Sequence, residues 1–569
     1  MNGSYRKSFG QLLVEKGVIS QAQLQEALDK QIPREELFLG TLLRLGFISD
    51  ERRVYPLLAD HLKVEYLDLK SSPIDRDVLP RVPVMMATHY KVFPVRYDAG
   101  AGVLTVATAY PQNIFILDGL QMAHPGRIKA VLSREADILE AIREYYGVGA
   151  ETIAQMKGVL PGEGTPEGNV EDIEQIDSDA SIGKFINQIL LEAYRTRATD
   201  IHIEPYERDL KIRCRIDGVL YDTKVPMNIW NFKEAINSRI KIMSNLNIAE
   251  KRLPQDGRFK VKVGGVSLDL RVSFLPTQYG ESVVIRILSS NRLYNMDELG
   301  LNAREQELLE RLIRKPHGIV FVTGPTGSGK TTTLYSCLAH VNTADKKIIT
   351  IEDPVEYQLN GITQIQINPA IHLTFSQGLR SMLRHDPDIM MVGEVRDRET
   401  AEIAIQIALT GHLVFSTLHT NDAASGITRL VDMGVEPYLI CSSVECFIAQ
   451  RLVRLLCPLC KKAIPVTEDI LRVLREDVPE ARPQTLFEAQ GCEACHGTGY
   501  HGREGIYEFL SLNDAIREMV LARATSAQIT RKAVEQGMKT LLKHGWEKVL
   551  AGKTTPSEIM RVTKDDMNS

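Results

Sequence analysis

The chain has 569 residues, 44% of them hydrophobic, and a formal net charge of −5 from 68 basic and 73 acidic side chains. This composition is typical of a soluble globular protein of several domains, and the acidic excess argues against sequence-independent binding of nucleic acid. No apolar run approaches the roughly 18 residues that span a bilayer, and the first residues lack the apolar part of a signal peptide. We therefore expect a cytoplasmic protein that associates with a membrane only through partners.

A weak internal repeat opens the chain. FGQLLVEKGVIS (9–20) is similar to LGTLLRLGFIS (39–49), which is one residue shorter, and both copies end in glycine, an apolar residue and Ile-Ser. Ser20 and Gln23 form a predicted capping box at the start of the following helix. Short strand-like segments appear after residue 80. We predict a small, mainly helical docking or regulatory domain over residues 1–147.

Three further segments follow in the chain. Residues 148–178 are rich in glycine and acidic side chains and show little periodicity, which predicts a flexible linker. A helical pattern and several strand-like segments then predict an α+β middle domain over 179–290. From residue 300 onward, strands alternate with helices, as in a parallel α/β sheet, and the last 50 residues are predicted to be helical.

The segment IVFVTGPTGSGKTT (319–332) contains a phosphate-binding motif, because an apolar strand precedes the glycines and a helical stretch follows them. Glycines let backbone N–H groups approach phosphates closely. Lys330 is expected to reach the β- and γ-phosphates, and the Thr331 hydroxyl is expected to bind Mg²⁺. The predicted nucleotide-binding residues are Gly324, Pro325, Thr326, Gly327, Ser328, Gly329, Lys330, Thr331 and Thr332.

Acidic residues follow two later strand-like runs. IITIEDPVEY (348–357) ends with Glu352, Asp353 and Glu356, and PDIMMVGEVRD (387–397) places Glu394 after an apolar run. Carboxylates at the carboxyl ends of parallel strands lie where ligands bind, and a P-loop needs acids to hold Mg²⁺ and position water. The alternative is that these carboxylates are merely solvated strand ends.

Two histidines, His412 and His419, bracket the apolar run of TGHLVFSTLHTND (410–422). A neutral imidazole donates one hydrogen bond and accepts another, so it can respond to the state of a γ-phosphate. The alternative is a pair of ordinary core histidines.

Four cysteines form two CxxC pairs, LCPLCKK (456–462) and GCEACHGTGY (491–500), with 31 residues between the pairs. Thiolates at this spacing can hold one metal from two tight turns, and four of them complete a tetrahedral Zn²⁺ site. The alternative is two redox-active or accidental pairs, although a cytosolic location disfavours disulfides. The predicted structural zinc ligands are Cys457, Cys460, Cys492 and Cys495.

The order of the motifs resembles that of the secretion ATPases, a family that includes the type II secretion ATPase, the type IV pilus assembly ATPase and the pilus retraction ATPase. The motifs are GPTGSGKTT, ITIEDPVEY, DPDIMMVGEVRD and TGHLVFSTLHTND, and the resemblance covers residues 180–569 closely and the first 150 more loosely. It implies a multidomain α/β protein in which a RecA-like P-loop domain with a parallel sheet, residues 300–569, hydrolyses ATP with Mg²⁺.

The resemblance also implies roles for single residues. Glu356 matches the family's water-activating glutamate, and Glu394 matches its atypical Walker B glutamate, whose longer side chain favours contact with Mg²⁺ through a water. His412 and His419 match the histidine box, so they can reach the phosphate region and the subunit boundary. We expect His412→Ala to leave nucleotide binding intact and to slow hydrolysis.

The middle domain carries two further family signatures, ATDIHIEP (198–205) and RLPQDGRF (252–259). In such ATPases, middle-domain arginines face the nucleotide, and arginine suits this role because its planar fork binds two phosphate oxygens. Arg258 and Arg271 fit best, and the weaker candidates are Arg213, Arg215 and Arg286. The alternative is arginines solvated on a strand. Because each site would need a neighbour's arginines, the resemblance implies a homohexamer.

The N-terminal domain of some family members binds cyclic di-GMP, typically with an arginine before the Leu-Gly of each repeat. Here Ser8 and Phe38 occupy those positions. This favours docking to a membrane-anchored assembly protein over cyclic di-GMP, with an inner-membrane platform protein as the part that is moved.

Three functions remain open at this point. The tetracysteine favours an assembly ATPase over a retraction ATPase. Leu409 before the first histidine motif, and Ala424 where pilus ATPases more often have proline, favour type II secretion with its pseudopilus over type IV pilus assembly. A nucleic-acid translocase would need a basic, aromatic-lined channel, which the acidic charge and 6% aromatic content disfavour.

Overall fold

The computed structural model describes residues 3–30, 39, 41–42, 45–48, 54–124, 126–147, 150, 171–172, 181–263, 266–288, 295–468, 470, 472, 474, 478, 483 and 485–563. The chain divides into two compact units, the first with residues 1–215 and 220–287 and the second with 216–219 and 288–569. Among the described residues, no helix is both long and apolar enough to cross a membrane. The predicted linker, 148–178, lies outside the described residues except at 150 and 171–172.

The N-terminal part of the first unit combines helices with a sheet of strand order β1-β2-β3. β1 and β2 are antiparallel, and β2 and β3 are parallel. The elements are α1 (Gly3–Glu15), α2 (Gln21–Asp29), α3 (Tyr55–Leu62), α4 (Val84–Tyr90), β1 (Val92–Asp98), β2 (Val103–Thr108), α5 (Ile114–Ala123), β3 (Arg127–Leu132) and α6 (Glu135–Tyr146). The predicted capping box is present, since Ser20 Oγ accepts from Gln23 N and Gln23 Oε1 accepts from Ser20 N.

The sequence repeat corresponds to a structural one. Gly17 and Gly46 adopt φ of +70° and +72°, a left-handed conformation that favours glycine. Each glycine follows a helical turn, and the amides of Val18 and Phe47 donate back to carbonyls of that turn. Apolar residues from both copies, Leu13 and Leu42 among them, are buried in one hydrophobic core. The two copies therefore pack together in one small domain.

The middle part of the first unit is a sheet of order β4-β8-β9-β10-β5-β6-β7. Its elements are β4 (Glu171–Asp172), α7 (Ser181–Arg195), β5 (Ala198–Pro205), β6 (Leu210–Ile216), β7 (Val219–Thr223), α8 (Lys233–Met243), β8 (Gln255–Val263), β9 (Val266–Thr277) and β10 (Gly280–Leu288). β4 pairs in parallel with β8, although it falls within the predicted linker. Two residues of the predicted linker therefore form a strand, because a strand edge can recruit two residues without any hydrophobic periodicity.

The second unit is built on a sheet of order β13-β12-β14-β15-β11-β16-β19. The first six strands in this order, β13 through β16, are parallel to one another. The last strand, β19, pairs antiparallel with β16. The strands are β11 (Gly318–Thr323), β12 (Ile348–Glu352), β13 (Thr363–Gln366), β14 (Ile389–Val392), β15 (Leu413–Leu418), β16 (Val444–Leu456) and β19 (Tyr500–Ser511). β11, β12, β14 and β15 are buried at every position, as expected for strands covered on both faces.

Helices cover both faces of this sheet. They are α9 (Ala303–Ile313), α10 (Lys330–Val341), α11 (Phe375–Met382), α12 (Arg398–Leu409), α13 (Ala424–Asp432), α14 (Pro437–Ser443), α15 (Asp514–Leu521), α16 (Ser526–Glu535), α17 (Leu541–Leu550) and α18 (Pro556–Thr563). Two hydrophobic cores, one for each face, enclose the central strands. The strand order and the crossover helices confirm the predicted RecA-like P-loop fold.

β17 (Lys462–Pro465) and β18 (Thr485–Glu488) form a separate two-stranded antiparallel sheet. The C-terminal helix α18 is bound to β16 by a buried ion pair. Arg454 Nη2 lies 2.7 Å from Oε2 of Glu558, a residue that is 1% exposed. Helix α18 is therefore part of the ATPase core.

Candidate functional site

The P-loop connects the end of β11 to the start of α10. Gly324, Gly327 and Gly329 adopt φ of 149°, 82° and 89°. A Cβ atom added to Gly324 would lie 2.6 Å from the carbonyl oxygen of Gln450, and one on Gly329 would lie 2.8 Å from the side-chain nitrogen of the same residue. The loop therefore needs glycine at these positions, both for its conformation and for its contact with β16.

Lys330, the first residue of α10, is bound to its own loop. Its Nζ donates to the carbonyl oxygens of Gly324 at 2.8 Å and Pro325 at 3.0 Å. Burial lowers the pKa of Lys330 to about 8; the Glu394 carboxylate opposes this shift and the Arg451 guanidinium adds to it. The Lys330 side chain therefore loses its charge at a pH only slightly above neutral.

ATP affinity is expected to fall as the pH rises through the pKa of Lys330. Bound phosphates favour the charged ammonium, so binding above pH 8 must take up a proton. For a pKa of about 8, the charged fraction drops roughly eightfold between pH 7.5 and 9, and the affinity should fall by a similar factor. Calorimetry in two buffers of different ionisation enthalpy measures the proton uptake.

A matched variant separates this group from others that titrate near pH 8. Lys330→Arg keeps a positive charge at all these pH values, so it should bind ATP without taking up a proton. Proton uptake near zero at pH 9 in the wild-type chain would show that Lys330 does not titrate in this range.

Glu394 lies just beyond β14, at the same edge of the sheet as the P-loop. It is 9% exposed; its Oε1 lies 2.6 Å from Nη2 of Arg396, and its Oε2 lies 3.3 Å from Nε2 of His419. The backbone supports this arrangement, since Val395 N donates to Thr417 O at 3.1 Å. The structure thus brings Lys330, Glu394 and His419 to one edge.

The acidic residues after β12 have different surroundings. Glu352, the last residue of β12, is 3% exposed, and its carboxylate accepts hydrogen bonds from Tyr335, Thr350 and Gln364. Glu356 is only half-buried, and its backbone N lies 3.4 Å from the hydroxyl of Tyr335. Glu352 is therefore hydrogen-bonded in the interior, whereas Glu356 is half-buried and lies four residues beyond the end of β12.

The two histidines lie at opposite edges of the sheet. β11 and β15 pair in register from Gly318 and Leu413 to Thr323 and Leu418, so His419 leaves β15 beside the start of the P-loop. His412 precedes β15, and its carbonyl accepts from Gly318 N. The six residues of β15, about 20 Å of strand, separate the two edges.

The ring of His412 is held by its own segment, with Nδ1 3.2 Å from Oγ1 of Thr410 and 3.1 Å from the carbonyl of Ile407. Within one chain it does not reach the P-loop, so its predicted role in hydrolysis requires a neighbouring chain. We expect His412→Ala to slow hydrolysis only at concentrations where chains assemble. Specific activity measured across a dilution series checks this, and an equal slowing at every dilution would contradict it.

The middle-domain arginines belong to the first unit. Arg258 is exposed, and its Cα is paired with that of Arg271 across β8 and β9. The weaker candidates form ion pairs with carboxylates of their own unit. Arg213 lies 2.6 Å from Glu204, and Arg286 and Arg215 lie 2.9 and 3.9 Å from Asp200.

Arg451, on β16, is not among the residues predicted from the motifs. It is 6% exposed, and its Nη2 donates to the carbonyl of Asn421 at 2.7 Å. Asn421 lies two residues after His419, so Arg451 holds the loop that carries this histidine. An arginine inside the apolar run FIAQRLV is a sequence signal that could have identified it, since strands rarely bury an arginine without a specific partner.

The four predicted zinc ligands lie together. All four Sγ atoms are within 4.8 Å of one another, with Cys457 3.8 Å from Cys492, Cys460 3.8 Å from Cys495, and Cys492 3.7 Å from Cys495. A tetrahedron of Zn–S bonds near 2.3 Å has edges of about 3.8 Å. Cys495 Sγ also accepts from the backbone amides of Cys492 and Gly499. The donor set and its dimensions therefore fit Zn²⁺.

The chain is similar to known families and proteins. Residues 175–561 match the family described as type II/IV secretion system protein, and residues 62–152 match the MshEN domain. The type IV pilus assembly ATPase PilB of Myxococcus xanthus (strain DK1622) is 42% identical over 565 residues, which are 98% of this chain and 99% of that protein.

Proteins named for type II secretion are similar to a comparable degree. The type II secretion system protein E of Pseudomonas aeruginosa is 50% identical over 398 residues, 70% of this chain and 78% of that protein. That of Xanthomonas campestris pv. campestris is 41% identical over 560 residues, 97% of this chain and 98% of that protein. Together with the P-loop, Glu394 and His419 at one edge of a RecA-like sheet, these matches identify the chain as an ATP-hydrolysing member of the type II/IV secretion system protein family.

Proposed function

We propose that the chain is a cytoplasmic, homohexameric ATPase that powers pseudopilus assembly and protein export by type II secretion. The observation that supports this most directly is the single sheet edge that holds Lys330, Glu394 and His419, which suits a reaction at the terminal phosphate of ATP. The 50% identity to a type II secretion protein E over the matched region favours export. Leu409 and Ala424 favour the same choice.

In this proposal each residue at this edge of the sheet has its own role in ATP hydrolysis. Glu356 positions and activates the attacking water. Lys330 leaves the carbonyls of its own loop and binds the β- and γ-phosphates. The imidazole of His419 responds to the state of the γ-phosphate while it remains paired with Glu394.

The oxygen donors at this edge fit Mg²⁺, which prefers oxygen ligands and keeps several waters. Thr331 would hold it directly and Glu394 through a water. When bound, the ion neutralises charge on the phosphates. Arg258 and Arg271 complete the site from a neighbouring chain, which is why we propose a closed ring rather than a monomer.

The finer domain organisation is part of the same proposal, with a docking domain at 1–147, a linker at 148–178, a middle domain at 179–290 and the ATPase domain at 300–569. We propose that the docking domain binds a membrane-anchored assembly protein, so that the ring lies against the inner membrane and acts on a platform protein there. ATP hydrolysis then switches the middle domain and the ATPase domain between a closed and an open arrangement. Of the segment proposed to permit this, SSNRLYNMDELG, residues 289–294 lie outside the described residues.

Type IV pilus assembly is the second candidate, because the Myxococcus xanthus pilus assembly ATPase matches 98% of the chain at 42% identity. A strain whose gene carries Glu394→Gln distinguishes the two functions, with secreted proteins and surface pili counted in the same cultures. We expect the secreted proteins to be lost and the pili to remain. Lost pili with normal secretion would assign the chain to pilus assembly, and no change in either would reject both.

A further inference from the structure

Tyr335 lies at a junction between two parts of the nucleotide site. It belongs to α10, the helix that begins with Lys330, and it is fully buried. Its hydroxyl lies at the end of β12, where the chain turns toward Glu356. A single side chain thus spans the distance from the phosphate-binding helix to the segment that carries the proposed water-activating carboxylate.

The hydroxyl of Tyr335 makes hydrogen bonds in three directions. It donates to Oε2 of Glu352. It accepts from the backbone N of Glu356 at 3.4 Å and from Nε2 of Gln364 at 3.3 Å. Glu352 is itself fixed, since Thr350 Oγ1 donates to it at 2.5 Å and Gln364 at 3.1 Å. The donor and acceptor capacity of the hydroxyl is therefore fully used.

This arrangement gives the hydroxyl a fixed orientation. Because Glu352 takes the proton of the hydroxyl, the oxygen lone pairs point toward Gln364 and toward the amide of Glu356. The ring cannot swing away, since Tyr357 packs edge-on against it with ring centroids 4.7 Å apart. Burial and the nearby Glu352 carboxylate also raise the pKa of Tyr335, so the hydroxyl stays protonated and keeps donating.

We propose that Tyr335 is a positioning residue for hydrolysis, whose hydroxyl holds the backbone of Glu356 at a fixed place relative to the phosphate-binding helix. The inference rests on the proposed role of Glu356. It extends that role by naming the contact that sets the distance between the carboxylate and the phosphates. Such a contact matters because a displacement of about 1 Å in a reacting group can cost up to about 10²-fold in rate.

Tyr335→Phe tests the contact, since it removes one buried oxygen and keeps the ring. We expect kcat for ATP hydrolysis to fall by about tenfold, while the dissociation constant for a fluorescent ATP analogue changes by less than about twofold. Tyr500→Phe is the matched control, because Tyr500 is also buried and its hydroxyl bonds to Thr555 at 3.0 Å beside the tetracysteine. A normal kcat, or weaker nucleotide binding with unchanged kcat, would overturn the inference.

A double variant separates positioning from general loosening of the domain. In the Glu356→Gln background, adding Tyr335→Phe should lower single-turnover hydrolysis by less than about twofold, because both changes act on the same group. A further tenfold loss there would overturn the inference. Glu356→Gln with normal turnover would reject the proposed role of Glu356 itself, and this outcome is seen without any tyrosine variant.

A second substitution keeps the test valid if Tyr335→Phe does not fold. Glu352→Gln retains the shape of the side chain but removes the charge that orients the hydroxyl. We expect a smaller decrease in kcat, about threefold, with nucleotide affinity again unchanged. Thermal unfolding of each variant shows whether it is folded, and a folded Glu352→Gln variant with wild-type kcat would overturn the inference.

Discussion

Replacing Glu394 with glutamine is expected to lower kcat for ATP hydrolysis by about 10²–10³-fold while leaving ATP binding within a few-fold. Glu394 is the buried carboxylate at the phosphate edge, and it is paired with both Arg396 and His419. The amide keeps the size of the side chain but loses the charge that would hold a hydrated Mg²⁺. Steady-state phosphate release and the binding of a fluorescent ATP analogue measure the two quantities.

Glu399→Gln provides the matched control for this prediction. Glu399 lies five residues further along the chain, at the start of α12, and forms an exposed ion pair with Arg380 at 3.0 Å. Exposed pairs of this kind contribute little to stability, so kcat should be unchanged. Equal rates for the wild-type chain and Glu394→Gln would remove Glu394 from the catalytic residues.

Replacing Cys457 with serine is expected to release zinc and to lower the free energy of unfolding of the ATPase domain by several kilocalories per mole. The free energy of metal binding at a structural site is also folding free energy, because the site does not exist in the unfolded chain. Cys457 directly follows β16, and its backbone N donates to Gly499 O at 3.0 Å. Metal analysis and urea denaturation measure the two effects, and we expect about one zinc per wild-type chain.

Cys441→Ser controls for the general effect of losing a buried thiol. Cys441 is 9% exposed and lies on α14, and its Sγ contacts the carbonyl of Arg517 at 3.5 Å. This variant should keep its zinc and most of its stability. A wild-type chain that contains no zinc, although it has never been exposed to a chelator, would refute the metal assignment.

The amino-acid sequence alone could locate the site residues that come just after a buried strand. The P-loop after Thr323, Glu394 after Val392 and His419 after Leu418 all leave the sheet at its carboxyl edge, so the rule for parallel strands located them without any knowledge of packing. The tetracysteine could be placed because metal geometry constrains its spacing. The same rule, applied strictly, also puts His412 at the opposite edge, since this residue precedes its strand.

Contacts between distant elements could not be predicted in this way. The position of Tyr335 in the helix after the P-loop indicates a core residue, and nothing in its local pattern shows that its hydroxyl meets Glu352 and Glu356. The pairing of β4 with β8 is similar, because two polar residues carry no strand signal. Such features depend on which elements the fold brings together, and one-dimensional periodicity does not contain that information.

The double contact of Lys330 with its own loop has a consequence for product release. When Lys330 binds its own loop, the ammonium has two carbonyl acceptors, so phosphates can depart without leaving a buried cation that lacks partners. We expect the same two bonds, which ATP must first displace, to make the loss of ADP easier. A shorter residence time of the product would suit a machine that must repeat its cycle many times rather than hold one nucleotide tightly.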